Sequence, residues 1–513
     1  MGMARVPSIL FRRGPVRDLD KLTAPDGSGD LHLDLIVGTI VRNYPDDRLE
    51  PYFYATLRDV ADVHYRQDVF RDLGIDQNRS AIDAFVRTMD TVRNHLAFAA
   101  KVWHPLQKQG WLVHAVDAYC TALLSLSDAM ADMEIRSDGL RQICDHIATY
   151  VDDSTFRSLV DHTRTVRARL NNVRYTVHIE GPRVDVDTYD HQSDYSADVA
   201  AVFERFRTDT GRDYHVQRKD FPDMNHVEEQ ILDCVAKLHP DEFSELRDFC
   251  SDNSDFIDGT IARFDREVKF YLTYLDYIKR FAAQHLRFSY PVVTAGPGSI
   301  YIEDAFDVAL ADKQRISGDP VVSNDFRLGD GERVLVVTGP NQGGKTTFAR
   351  TVGQVFHLAA LGCPIPATRA TLMLPDAVFT HFERQERLST LRGKLDNELV
   401  RIHDILSQAT THSVIVMNES FSSTTVNDAS CIGTAVLSRI IKLGCVAVYV
   451  TFIDELASLD AACVSMVGDV AANDPTQRTF HFTRRPADGL AYAAALADKY
   501  GLSRDVLERR ITR

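Results

Sequence analysis

Eight consecutive residues carry the strongest chemical signal in the chain. Gly339-Pro340-Asn341-Gln342-Gly343-Gly344-Lys345-Thr346 fit the pattern G-x-x-x-x-G-K-S/T. A β-branched apolar run, VLVVT at 334–338, precedes them, and a helix-like stretch, TFARTVGQVFHLAAL, follows. Strand before and helix after is the setting in which this pattern binds phosphate. The glycines let backbone N–H groups curl around phosphate oxygens, and the helix N-terminus adds about half a positive charge. Lys345 then reaches the β- and γ-phosphates of a nucleotide, and the Thr346 hydroxyl ligates Mg²⁺. The expected ligands are ATP and Mg²⁺, held by residues 339–347 with Thr347 at the end of the loop.

A second strand, Ser413-Val414-Ile415-Val416-Met417, ends in Asn418-Glu419. P-loop proteins place such a strand beside the first, with acids near the metal. Glu419 is then positioned to orient or deprotonate an attacking water, which makes Glu419 and Lys345 the candidate catalytic residues. Asn418 stands where Asp is usual. It can hydrogen-bond a metal-bound water, but its lost charge weakens metal binding and slows turnover. A third run, Cys445 to Thr451, suggests another parallel strand behind a helix at 429–443.

Positioning these residues requires an α/β module, expected over residues 291–513. Residues 56–290 are mostly helical in pattern, and 1–55 mix short apolar pieces with Pro, Gly and Asp. The fold class expected is therefore multidomain: an α-helical domain with an inserted β-hairpin, plus an α/β P-loop ATPase domain. The clearest helix is predicted from Ser254 to His285 on a heptad stripe that includes Ile261, Phe264, Val268 and Tyr271. The hairpin is predicted near 173–187: Val173, Tyr175, Val177 and Ile179 alternate with polar residues, and Gly181-Pro182 marks the turn. Arg164, Arg167 and Arg169 precede it, and Arg174 and Arg183 lie on it, a candidate phosphate-gripping tip without base-specific reading. Arg5, Arg12, Arg13, Arg17 and Lys21 form a second basic cluster in what reads as an ordered or semi-ordered tail rather than a signal peptide.

Composition bounds the class. The chain has 513 residues, 44% hydrophobic and 26% charged, with net charge −15. That charge argues against a generally sticky nucleic-acid binder and leaves a local basic groove open. Eight scattered cysteines without a C-x-x-C pair suit neither a zinc site nor a disulfide scaffold, so a reducing cytoplasm is expected. No apolar run approaches a membrane helix.

These residues resemble a known family. TGPNQGGKTTFAR looks like the Walker A segment of the MutS DNA mismatch-repair family. Glu419 through Ala429 aligns without gaps on that family's acidic motif and following loop, with Thr424, Thr425 and Asp428 matching in type and place. Val450-Thr451-Phe452-Ile453-Asp454-Glu455-Leu456 resembles a later Ala-Thr-His-x-x-Glu-Leu segment, and Tyr500-Gly501-Leu502-Ser503 with VLERR resembles a C-terminal helical dimerisation region. TLRDVADVHYRQDVFRDL resembles the start of the family's helical core domain. The resemblance implies an ABC-type ATPase, a homodimer with composite nucleotide sites, and a core/lever region that embraces DNA. Departures accompany it. No Phe-x-Glu mismatch-reading element stands near the N-terminus, and the chain is too short for that domain. Phe452 replaces a His near the γ-phosphate. Gly393-Lys394 replaces a trans-acting Ser-Thr, leaving Lys394 as a candidate cross-dimer contact.

Two functions follow. One is a MutS-like, ATP-dependent DNA-binding dimer in repair or recombination control, with slow hydrolysis. The other is an ATP-switched scaffold with weak or no hydrolysis and a protein partner, favoured by the net charge, Asn418 and Phe452. A transporter ATPase would carry Leu-Ser-Gly-Gly-Gln, which the chain lacks.

Overall fold

The computed structural model describes residues 8–14, 19–191, 224–383, 393–471 and 474–487. The chain forms two compact units that do not follow chain order. One comprises Asp76–Glu134 and Gln142–Asp265; the other comprises Met1–Ile75, Ile135–Arg141 and Arg266–Arg513. The dimerisation-like segment at 500–503 lies outside the described residues, as do Arg5 and Arg17.

The first unit is helical. Asp76–Lys101 and Pro105–Met130 pack as a pair, and Pro105 opens the second helix because a first-turn residue needs no backbone donor. Phe85, Met89, Val116, Tyr119 and Leu123 fill the interior. Ser154–Asn172 leads into the hairpin, β1 (Tyr175–Glu180) and β2 (Arg183–Thr188), with Gly181 at positive φ in the turn. His226–Leu238 follows, started by a capping box in which Asn225 accepts from Glu228 N–H and Glu228 accepts from Asn225 N–H.

The second unit holds two sheets. A smaller one uses β3 (Val292–Thr294), β4 (Ile300–Ala305), β5 (Asn324–Leu328) and β7 (Arg369–Met373) in the order β3-β7-β4-β5. The larger contains β6 (Val334–Thr338), β8 (Val378–Phe382), β9 (Val414–Asn418), β10 (Val446–Val450), β11 (Cys463–Ala471) and β12 (Asp474–Arg484). Its order is β12-β11-β6-β10-β9-β8, parallel throughout except for β12 on β11. β6, β9 and β10 are buried along their whole length, which fits their uninterrupted apolar sequence. One correction to the sequence reading follows. The acidic strand β9 is not beside β6; β10 lies between them and bonds to both.

The helix Gly259–Lys279 is shorter than its periodicity predicts, because Asp258 accepts the N–H groups of Thr260 and Ile261 and starts it there. From Glu267 to Leu275 it is buried on every face. Its buried charges are paired within the unit. Glu267 accepts from Ser8 Oγ and Ile9 N–H, and Lys269 donates to Asp47 at 2.8 Å. Ile9 and Leu10 are fully buried, so residues 8–11 of the described N-terminal segment are ordered and packed. Arg12 and Arg13 pair with Asp59, and Arg12 also with Asp62. None of the eight cysteines is in a disulfide. No described helix is long and apolar enough to cross a membrane.

The same N-terminal segment covers the outer face of the helix Lys345–Ala360. Gln354 donates to Leu31 O, Leu57 N–H donates to Ala360 O, and His357 Nε2 bonds Phe53 O at 3.1 Å. Burial pulls the His357 pKa down to about 4, so the fold accepts the neutral ring. His381, buried at the end of β8, is likewise pulled to about 4 by burial. Both folded values lie below the ordinary histidine value. Their contribution is therefore complete well above about pH 6.5 and is lost as pH falls toward 4, at no more than about 1.4 kcal/mol per pH unit for each ring. The melting temperature should fall over that window, and His357→Gln, which keeps a donor for Phe53 O, should flatten the fall. An unchanged slope in thermal scans from pH 7 to 4 would exclude His357 as a source.

Candidate functional site

Parallel register places the C-terminal ends of β6, β10 and β9 level with one another: Val450 pairs with both Val337 and Asn418. The loops leaving these strands therefore begin on one edge. Glu419 N–H donates to Val450 O, and Thr451 N–H donates to Val337 O, which extends the ladder into the loops.

The loop after β6 has the shape its glycines permit. Gly339 adopts φ 125°, and a Cβ there would sit 2.9 Å from Gly468 N. A Cβ on Gly343 would lie 2.8 Å from Pro340 O. Gly344 caps the following helix at φ 87°. Lys345 is 5% exposed and donates to Gly339 O, Pro340 O and Asn341 Oδ1, each at 3.2 Å. Burial lowers its pKa, Glu419 opposes that, and Arg478 adds to it. Gln342, at φ 60°, lines the adjacent cavity with Thr346 and Thr347.

Glu419 comes to this loop from the far side. Its carboxylate is 3.9 Å from Lys345 Nζ and is partly exposed. Thr346 Oγ1 donates to Asn418 Oδ1 at 3.0 Å. The structure thus brings Lys345, Thr346, Asn418 and Glu419 together. Glu419 and Phe421 both hold positive φ, at 48° and 65°, a conformation that costs a side-chain-bearing residue on the order of 1 kcal/mol or more. The turn is held from beneath. Glu398 Oε2 accepts the Phe421 N–H at 2.8 Å, and Ser420 Oγ bonds His381 Nδ1 at 2.8 Å. Burial raises the Glu398 pKa, and the Phe421 N–H opposes that rise.

Sequence reasoning missed one wall of the site. A cavity of about 460 Å³ opens beside Lys345 and Thr346, and Phe480, Phe482, Asn324 and Pro320 line it. Asn324 clips the irregular β12 by donating to Phe480 O and accepting from Phe482 N–H. A Cβ on Gly344 would lie 3.3 Å from the Phe480 ring, so that glycine is also needed for close approach. The alternation Phe480-x-Phe482 signals a strand but does not say which loop it abuts.

Other candidates lie apart from the cluster. Lys394 begins the helix Lys394–Gln408 and pairs with Glu383 of its own chain. Residues 384–392 lie outside the described residues. Phe452 is 50% exposed just past β10. Thr425 caps the helix Val426–Leu443, and Asp428 Oδ2 accepts from both Thr424 and Thr425. In the helical unit, Arg183 pairs with Asp185, Arg169 with Glu245, Arg167 with Asp117 and Arg164 with Asp161, while Arg174 donates to Asn171 O and Val173 O. Five arginines that read as a phosphate grip are thus all engaged within the chain.

Residues 335–509 match the family model MutS domain V. Over 306 residues the chain is 29% identical to the DNA mismatch repair protein MutS of Chlorobaculum tepidum, a match covering 58% of this chain and 34% of the relative. Over 291 residues it is 26% identical to the DNA mismatch repair protein MutS of Thermosipho melanesiensis, covering 56% of this chain and 34% of that protein. The matched region is about a third of the length of these curated relatives.

The Glu398 contact is testable. Glu398→Ala leaves a buried N–H without its acceptor, at a cost of about 1–3 kcal/mol, whereas Gln keeps an oxygen there. If the site hydrolyses a nucleotide, phosphate release by the Ala variant should fall about tenfold with nucleotide affinity little changed, and the Gln variant should stay near wild type. An Ala variant as fast as wild type would show that the turn holds Glu419 without it.

Proposed function

We propose that this chain, a MutS-like family member, is an ATP-dependent DNA-binding switch that hydrolyses ATP slowly and acts in DNA repair or recombination control. The observation that supports this most is the convergence of Lys345, Thr346 and Glu419 at one cavity mouth. In this reading residues 291–513 are an ABC-type ATPase module, 56–290 a core/lever region bearing the hairpin, and 1–55 a segment preceding it. The chain works as a cytoplasmic homodimer that clamps DNA without reading its sequence.

Each residue has a role. The loop 339–347 cradles the phosphates with backbone N–H groups, and close approach there depends on Gly339 and Gly343 lacking a Cβ. Lys345, already stripped of water, meets the β- and γ-phosphates as a point charge. The hydroxyl of Thr346 and the amide oxygen of Asn418 are hard donors 3.0 Å apart, which suits Mg²⁺ held directly by Thr346 and through water by Asn418. When bound, the metal supplies charge neutralisation at the phosphates. Glu419 accepts the proton of the attacking water as the bond from the γ-phosphorus to the ADP oxygen breaks. Phe480, half exposed beside Gly344, offers an apolar face to the base. Lys394 would act across the dimer only by leaving Glu383.

A second reading, the ATP-switched scaffold with a protein partner, is favoured by one observation. The helical unit carries 33 Asp and Glu against 19 Lys and Arg, a net −14, which leaves −1 for the rest of the chain. An arm of that charge repels phosphate.

The nucleotide reading predicts three responses. Lys345→Ala should weaken ATP binding about tenfold or more, since a cation is removed from the phosphates. Glu419→Gln should bind ATP like wild type and lose nearly all turnover. Asn418→Asp should tighten the magnesium dependence of turnover. Equilibrium ATP binding beside phosphate release across a magnesium titration checks all three. A wild type that binds no nucleotide, or a Glu419→Gln variant as fast as wild type, would sink the assignment.

The DNA arm has its own check. Changing Arg167, Arg169, Arg174 and Arg183 together to Ala should flatten the salt dependence of DNA affinity by about one unit per lost phosphate contact. Unchanged affinity and slope on linear and branched DNA would move the scaffold reading ahead.

A further inference from the structure

The hairpin has a face for which phosphate gripping has no use. Its register pairs Tyr175 with Thr188, Val177 with Val186 and Ile179 with Val184. Directly opposed residues share a face, so these six make one largely apolar side. The opposite side carries Thr176, His178, Glu180, Arg183, Asp185 and Asp187. A two-stranded ribbon is marginal alone and needs its apolar side covered. Here that side is covered in part. Ile179 is 74% exposed, Tyr175 45% and Val177 38%. Val227, on the helix His226–Leu238, is 49% exposed.

Beside this face lies a groove of about 860 Å³ between the hairpin base and the helices Pro105–Met130 and His226–Leu238. Trp111, Leu170, Val177, Ile231 and Leu232 supply its apolar lining, and Glu228 stands among them. The groove is large enough for several apolar side chains and too small for a folded domain.

We propose that this groove and the apolar hairpin face bind a short amphipathic segment of a partner protein whose polar side is rich in Lys and Arg. Charge complementarity selects this occupant. The unit around the groove has a net charge of −14, and Arg183 and Arg169 are already neutralised by Asp185 and Glu245. Nucleic acid would meet that field with like charge. A second copy would bring another −14 against it. A basic segment is drawn in by the field, and its apolar side fills the groove as an amphipathic helix fills any hydrophobic groove. The proposal rests on the scaffold reading of the helical unit and is independent of the nucleotide site.

The test uses the full chain and a fluorescein-labelled Leu/Lys peptide with its leucines at helical spacing. A scrambled peptide of the same composition and a Leu/Glu counterpart serve as controls. Fluorescence anisotropy should show the amphipathic Leu/Lys peptide binding about tenfold or more tightly than either control, and more weakly as salt rises. Ile179→Asp and Val177→Asp, both at exposed positions, should each lower that affinity about tenfold, while the milder pair Tyr175→Ser with Val177→Ser should lower it less. ATP binding, measured on the same samples, should stay at the wild-type value, and an unchanged far-ultraviolet circular dichroism spectrum should certify the fold of the helical unit. A variant that keeps ATP binding and loses the peptide supports the proposal even if wild-type hydrolysis proves absent. Equal binding of the scrambled peptide would reduce the effect to diffuse charge and overturn it. So would unchanged affinity in the Asp variants, or duplex DNA whose binding those same variants abolish. A concentration-dependent dimer lost in those variants would make a second copy the occupant. A deletion of residues 192–223 that tightens peptide binding about tenfold would make that stretch of the chain the occupant.

Discussion

The parallel ladder of β6, β10 and β9 is the constraint from which the site follows. In a parallel sheet every strand's C-terminus lies on the same edge, and here the pairing of Val450 with Val337 and Asn418 brings three ends level. The phosphate loop, the acid and Phe452 therefore leave the sheet together, although 80 residues of sequence separate Gly339 from Glu419. The placing of β10 between β6 and β9 costs nothing in reach. The acid turns back toward the loop through positive φ at Glu419, and the buried Glu398 and His381 hold that turn. Side chains can be aimed across a strand's width when the backbone beneath them is fixed by hydrogen bonds at both ends.

A second layer of constraint lies behind the phosphate loop. The helix Lys345–Ala360 is packed on the sheet on one side and by the N-terminal segment on the other. Two fully buried charges tie that segment down. Arg66 donates to Leu10 O and Leu361 O, and Lys269 to Asp47. Removing one partner of a buried ion pair costs about 3–5 kcal/mol, because the remaining charge keeps its desolvation penalty. Freeing the segment would leave Lys269 without Asp47 and Arg66 without the Leu10 carbonyl, and would break its bonds to Gln354, His357 and Ala360. Any shift of that helix would have to carry the segment bonded to it, including Leu31, Phe53 and Leu57.

The strand, loop and helix around residues 339–347 were legible because their pattern is local: a β-branched strand, glycines at fixed offsets and a lysine opening a helix. The hairpin was legible for the same reason, from alternation broken at Gly181-Pro182. What escaped was non-local. Strand order is decided by how crossover helices pack, which no five-residue run encodes. Phe480 and Asn324 meet the site from strands whose patterns say only that they are strands. Ile9, Leu10 and Leu31 lie in the short apolar pieces of residues 1–55, which have no period of their own to say what they cover. The better signal lay in their partner: TFARTVGQVFHLAAL is apolar nearly all round, and such a helix must be covered on both faces.

Under the proposed function, a neutral group at Asn418 would divide binding from turnover. Its amide oxygen takes the Thr346 hydroxyl at 3.0 Å, so the geometry a carboxylate would give is kept. Were Mg²⁺ held there as proposed, the missing carboxylate would remove a full charge beside it, worth on the order of several kcal/mol at about 4 Å and an effective dielectric of about 20. Phosphate binding relies mainly on the loop N–H groups, the helix dipole and Lys345, none of which depends on residue 418. Transfer of the phosphoryl group relies on charge neutralisation as the leaving oxygen develops, where the metal matters most. If the chain hydrolyses ATP as proposed, a neutral residue there would lower turnover more than affinity and lengthen the life of the ATP-bound state. In a switch, that lifetime sets how long a partner stays engaged. A long-lived bound state is of most use where the partner exchanges slowly, as a desolvated apolar contact does, rather than where it hops among phosphates at the rate set by salt.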